Sequence, residues 1–333
     1  MTSYLSKKIK IISFVAMLFI VFLHGQLISI STGISQWIQC LLTQEITRVA
    51  VPLFFLISGY LFFRNCKDPT SHFFYIKIKK RFYTLVIPFF LWSLLGFLFL
   101  YIISFVVPVS SIGEMKLNDI LYAIFISPVG AYQLWFLRDL YILVILTPVI
   151  YWGIKKMKVF LLICLLLLWI NGIQYLVQTE SVFFFVTGGY IALFFNKWSE
   201  KIHKNHLCNL ILFIAWISYS CFIVNVENRY LLHCIGILVG INCVWYCYDS
   251  MYLFFSEKVL SSNIYSYSFF IYLLHEPLLT CMKKILLGFS FNNAHILFVY
   301  FISPCLTIFV CIIIGKWVNY KLPTVYKILV GGR

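Results

Sequence analysis

His24 ends the apolar stretch FVAMLFIVFLH, and His275 follows FFIYLL. Ionisable side chains are costly in hydrocarbon, and those that persist there usually face an interior cavity and serve function. In a chain that is 62% hydrophobic and 11% charged, Arg48, Arg138, Asp139 and Glu276 keep similar company. Together these types suit proton transfer to or from a hydroxyl. An imidazole titrating near neutrality takes the proton, a carboxylate holds its tautomer, and a guanidinium offsets charge on a carbonyl oxygen. His24, Arg138, Asp139, His275 and Glu276 are therefore the candidate catalytic set, with Arg48 lining the substrate site.

Elements that hold such residues at depth must be membrane helices. With 333 residues and a mean hydropathy of +0.95, the chain is too apolar for a soluble globule. Apolar runs recur at the length of roughly 17–25 residues that crosses a bilayer. They read as ten spans, about 9–30, 47–63, 82–107, 134–153, 159–177, 182–196, 207–226, 230–248, 265–282 and 295–317. The expected fold is all-α and polytopic, one membrane-embedded unit over residues 1–333 with no separate soluble domain. The first run is too long for a signal-peptide core and is kept as a span.

The net charge of +15 does not mean nucleic acid, because of where it falls. On this layout the outer side keeps only Arg48, Lys116, Arg138, Arg229, Lys283 and Lys284 of the 26 basic residues. The rest, among them Lys7, Lys8, Lys67, Lys77, Lys80, Arg81, Lys197, Lys201, Lys204, Lys258 and Arg333, share the inner side. That asymmetry places both termini in the cytoplasm and the chain in the plasma (inner) membrane. The 11 cysteines show no metal-ligand spacing, and no metal is expected.

At 1.5 Å per residue, His24 lies roughly 22 Å above Ile9, and His275 roughly 15 Å above Tyr265. Arg48, Arg138 and Asp139 fall near the outer surface, so a shared cavity opening outward is expected. Consecutive helical residues diverge by about 100°, so Arg138 is not expected to face Asp139, nor His275 to face Glu276. Arg138 or Arg48 is expected to meet Glu276, and Asp139 to support a histidine. The plainer readings are a histidine bonded to a helix carbonyl, an Arg48 that snorkels to head groups, and a structural ion pair at Arg138 and Asp139.

On the inner side, Lys77-Ile-Lys-Lys-Arg81 leads into Phe82-Tyr-Thr-Leu-Val-Ile-Pro88. A basic run there suits anionic lipid, and equally a phosphate-rich soluble donor. Lys77 and Arg81 share a helix face at i, i+4.

Taken in order, several phrases resemble the acyltransferase-3 family of integral membrane O-acyltransferases. They are Ile11 to His24, Val51 to Tyr60, Lys80 to Pro88 followed by Trp92, and Leu134 to Asp139, with weaker echoes at Phe185–Tyr190 and Ile271–His275. The resemblance implies about ten spans and transfer of an acyl group, usually acetyl, from cytoplasmic acyl-coenzyme A. The implied acceptor is a hydroxyl of a cell-surface or lipid-linked saccharide. By the same likeness His24 is catalytic, Lys80 and Arg81 (with Lys77 nearby) bind coenzyme A, Ser58 and Gly59 form the small pair lining the site, and Arg138 is the helix-4 arginine. Acyl-coenzyme A would be a co-substrate, with no metal. The partners would be the saccharide and the bilayer, not nucleic acid, with a homo-oligomer left open. Two departures stand out: Ser13 and Leu85 occupy positions where many members carry arginine. The rival reading is a transporter or flippase for an anionic or saccharide substrate, with broken helices near Pro52 or Pro277.

Overall fold

The computed structural model describes residues 2–66, 69–105, 115–175, 177–195, 205–252, 262–289 and 292–332. Lys67, Lys197, Lys201, Lys204, Lys258 and Arg333, counted above for charge, lie outside the described residues, as do residue 176 and the expected span ends at 107 and 196. Among the described residues there is no β-strand. The helices are α1 (Ser3–His24), α2 (Gly33–Cys40), α3 (Ala50–Phe63), α4 (Ser71–Arg81), α5 (Ile87–Ser104), α6 (Leu117–Phe125), α7 (Trp135–Ile145) and α8 (Thr147–Met157), then α9 (Val159–Ile170), α10 (Thr179–Phe194), α11 (His206–Ile223), α12 (Tyr230–Tyr252), α13 (Ser268–Leu287), α14 (Asn293–Lys321) and α15 (Pro323–Leu329).

Six stretches are long and apolar enough to cross a bilayer: Ser3–Ile30, Gly33–Phe63, Ser71–Ser104, His206–Ile223, Tyr230–Tyr252 and Asn293–Lys321. A seventh forms if α7 and α8 count together, bent by 64°. Pro148 sits in the first turn of α8, where a missing N–H is tolerated but α7 cannot run through. The helices α9 and α10 are shorter, and α13 carries Glu276, Lys283 and Lys284. The protein is thus an all-α, multi-pass membrane protein, and each expected span overlaps a helix.

Three local features set up the site. First, α1 starts at Ser3 rather than Ile9, capped by Thr2, whose hydroxyl accepts from Leu5 N–H (3.3 Å). His24 is therefore its last residue, with Gly25 closing it onto the Val21 and Phe22 carbonyls. This shift also corrects the reading of Lys8 as a loop charge. Lys8 is fully buried, 2.5 Å from Asp249 on α12, with its ammonium 4.2 Å from the Trp245 ring centroid. Second, α2 runs into α3 through a π-helical turn at Leu41–Ile46, and α4 into α5 through another at Phe82–Val86. Third, α3 and α10 cross at backbone contact. A Cβ on Gly59 would lie 2.0 Å from the Phe185 carbonyl oxygen, and one on Gly188 2.0 Å from that of Leu56. Small residues let membrane helices approach this closely.

Candidate active site

The two imidazoles meet. Their ring centroids are 5.5 Å apart and their planes 27° from parallel. The Nδ1 of His275 lies 2.7 Å from the Tyr272 carbonyl. A carbonyl only accepts, so Nδ1 carries the hydrogen and Nε2 the lone pair. That Nε2 is buried without a hydrogen-bond partner among the described residues. His275 is thus tied to a helix carbonyl, as the plainer reading has it.

His24 is held differently. Its Nδ1 is 2.8 Å from the Tyr132 hydroxyl, and its backbone carbonyl accepts from the Lys283 ammonium at 2.8 Å. The same Tyr132 hydroxyl lies 3.4 Å from Glu276 Oε1, a long contact, while Thr280 donates to Glu276 Oε2 at 2.8 Å. Glu276 has φ −101° and ψ 132° inside α13. This extended residue before Pro277 bends the helix and sets Glu276 beside Tyr132. Tyr132 is itself fixed by its neighbour Gln133, which donates to the Leu273 carbonyl (3.2 Å) and accepts on its own carbonyl from the Tyr272 hydroxyl (2.5 Å). Glu276 is 3% exposed and Tyr132 47% exposed, so the cluster runs from the protein interior to its surface.

Tyr132, Thr280 and Lys283 were missed as site residues in the sequence. Lys283 was counted only for charge, and nothing separates Tyr132 from the other tyrosines except its place just before the fourth span.

Two expected pairings are corrected. Arg138 does reach Asp139, with Nε and Nη2 both 2.9 Å from Oδ1, and also donates to the Ile126 carbonyl (3.1 Å). The 100° rule separates Cβ directions, but a guanidinium on its long stem folds back across one residue. Asp139 is buried and supports neither histidine. Nor does either arginine meet Glu276: Arg48 donates to Gln44 Oε1 (2.7 Å), and Gln44 in turn to Gln26 (3.2 Å), two residues past His24. Beside Arg48, Glu45 pairs with Arg229 (3.4 Å) and His233 (3.0 Å).

On the opposite side, Lys77, Lys80 and Arg81 line a cavity of about 400 Å³ with Thr84 and Gly332. Lys77 also donates to the Phe62 carbonyl. A second cavity, about 320 Å³, shares Leu61 and Arg81 with the first. It follows α1 from Ile9 to Ile20, about 16 Å at 1.5 Å per residue, and is lined by Ser13, Ser58, Leu85 and Tyr272. Ser58 thus lines an internal cavity, as do the two departures, Ser13 and Leu85. Ile20 is one turn below His24, and Tyr272 one turn below His275. The lining of the two cavities thus runs from the basic side chains to one turn short of the histidine pair.

The stacked histidines lie one turn beyond the cavity that Ser13, Ser58 and Tyr272 line. The chain belongs to the acyltransferase-3 family, whose profile, described as an acyltransferase domain, matches residues 8–316; members of that family are O-acyltransferases. A curated protein, the succinoglycan biosynthesis protein ExoH of Rhizobium meliloti (strain 1021), is 29% identical over 129 residues. That stretch covers 35% of this chain and 33% of ExoH. No solved structure matches the chain significantly.

Proposed function

We propose that the protein transfers an acyl group, acetyl in the simplest case, from acyl-coenzyme A to a saccharide hydroxyl in the plasma (inner) membrane. Coenzyme A enters from the cytoplasmic side, its phosphates on Lys77, Lys80 and Arg81. Its pantetheine arm extends along the cavity beside Ser13, Ser58 and Tyr272. The acceptor, cell-surface or lipid-linked, meets His24 from the other side. The saccharide assignment draws on the word succinoglycan in the relative's name, and the inner-side assignment, with both termini, on the distribution of basic residues.

Chemically, a thioester needs only a deprotonated alcohol and a stabilised oxyanion. With the Tyr132 proton directed at Glu276, His24 donates Nδ1–H to the Tyr132 oxygen, and Nε2 is the base. The acceptor hydroxyl gives its proton to Nε2 as its oxygen bonds to the carbonyl carbon. The C–S bond then breaks, and the thiolate recovers the proton from imidazolium. His275 packs on the His24 ring, and Lys283 supplies positive charge beside it. Arg138, tied to Asp139, is read here as structural, as is Asp139. Arg48 borders the acceptor side through Gln44 and Gln26.

The observation that carries this reading is the pair of adjoining cavities that begins at three basic side chains and ends one turn short of the histidines. Purified protein with labelled acetyl-coenzyme A is expected to release free coenzyme A in an acceptor-dependent manner. His24→Ala is expected to lower that rate by at least about a hundredfold while the protein unfolds at the wild-type temperature. Wild-type rates from the variant would sink the role of His24. The break in α13 at Glu276 favours a second reading, transport of a saccharide or anion. Uptake without thioester cleavage is its signature.

A further inference from the structure

Gly332, just past the short helix α15, lines the basic cavity. Trp92 on α5 donates its indole N–H to the Leu329 carbonyl (3.1 Å). Tyr326 is buried, its ring centroid 5.4 Å from that of Phe270 and 6.0 Å from that of Tyr267. Val330 is buried as well. These contacts aim the chain at the junction of α4 and α5. Gly331 has φ +67°, and a Cβ there would lie 2.7 Å from both Cα and the carbonyl oxygen of Thr84. Gly332 has φ +74° and forms a wall of the cavity that holds Lys77, Lys80 and Arg81. Left-handed φ and backbone-on-backbone approach both call for glycine at 331.

Thr84 belongs to the π-helical turn Phe82–Val86, which directly follows Arg81. Such a turn replaces the i→i+4 ladder of an α-helix with wider i→i+5 bonds and is frequent at functional sites. We propose that the Gly331–Gly332 turn, anchored through Trp92 and Tyr326, is a positioning element of the donor site. It braces Thr84 and thereby fixes where Lys80 and Arg81 present their charges to donor phosphates. The proposal rests on reading the basic cavity as the coenzyme A site. The outward face of α15, with Val325 and Ile328 exposed, suits contact with lipid. Anchoring in lipid alone does not require the approach of Gly331 to Thr84.

Steady-state kinetics on the full chain, varying acetyl-coenzyme A at saturating acceptor and then the reverse, test this. Gly331→Ala is expected to raise the donor KM about tenfold, with kcat within about twofold and the acceptor KM unchanged. Tyr326→Ala is expected to do the same more weakly, and Tyr326→Phe to behave as wild type. Lys80→Ala and Arg81→Ala serve as references. If they leave the donor KM unchanged, the coenzyme A site is misplaced and the proposal falls with it. If they raise it while Gly331→Ala and Tyr326→Ala lower only kcat or Tm, the turn is packing alone and the proposal is overturned. Should Gly331→Ala not accumulate, Trp92→Phe, which removes one hydrogen bond, decides. A donor KM raised several-fold is expected, and an unchanged one overturns it.

Discussion

On the proposed mechanism Tyr132 governs His24, because its hydroxyl stands between the ring and the Glu276 carboxylate. Its hydroxyl contacts His24 Nδ1 and Glu276, so it sets which nitrogen of His24 keeps a lone pair. Removing that hydroxyl while keeping the ring should leave donor binding alone and impair proton transfer. Tyr132→Phe is therefore expected to lower kcat by about a hundredfold with the donor KM unchanged, measured by acceptor-dependent release of coenzyme A. A wild-type kcat would remove Tyr132 from the mechanism. His24, His275 and Glu276 were legible in the sequence because a polar group at depth in an apolar run is conspicuous. Tyr132 was not, since one tyrosine among 22 beside a loop carries no such signal. The Arg138–Asp139 pair was misread because helical phase describes Cβ atoms and not the end of a long side chain.

Among the elements, α3 and α10 show how a short phrase encodes geometry. The Ser58-Gly59 and Gly188-Gly189 pairs read only as family echoes in sequence. In the fold, Gly59 and Gly188 let two backbones touch, and the neighbouring Ser58 faces the inner cavity. Gly188→Ala must push α3 away from α10 and is expected to cost about 3 kcal/mol. Gly153→Ala, whose Cβ meets only the Leu161 side chain at 3.2 Å, is expected to cost within about 0.5 kcal/mol. Thermal unfolding in detergent compares them, and equal Tm values would contradict the close-packing account. Each apolar run expected as a span overlaps a helix, but among the described residues only six stretches, or seven with α7 and α8 together, have the length and apolarity a bilayer demands. Hydropathy misplaced the start of α1, because Lys7, Lys8 and Lys10 look like loop charges. The Asp249 that lets α1 bury Lys8 lies 241 residues away, out of reach of any local pattern.

For the whole molecule, the decisive property is sidedness. Basic side chains line one cavity, the stacked histidines sit one turn beyond a second cavity that follows α1 for about 16 Å, and Tyr132 is half-exposed beside them. Reactants would then arrive from different compartments. The relevant measurement uses the protein reconstituted in vesicles with its donor mouth facing the lumen, acetyl-coenzyme A sealed inside and saccharide acceptor added only outside. Acylated acceptor is expected in the external medium, with stoichiometric coenzyme A retained in the lumen. Product formed only when donor and acceptor share one side would contradict a transfer site reached from both faces.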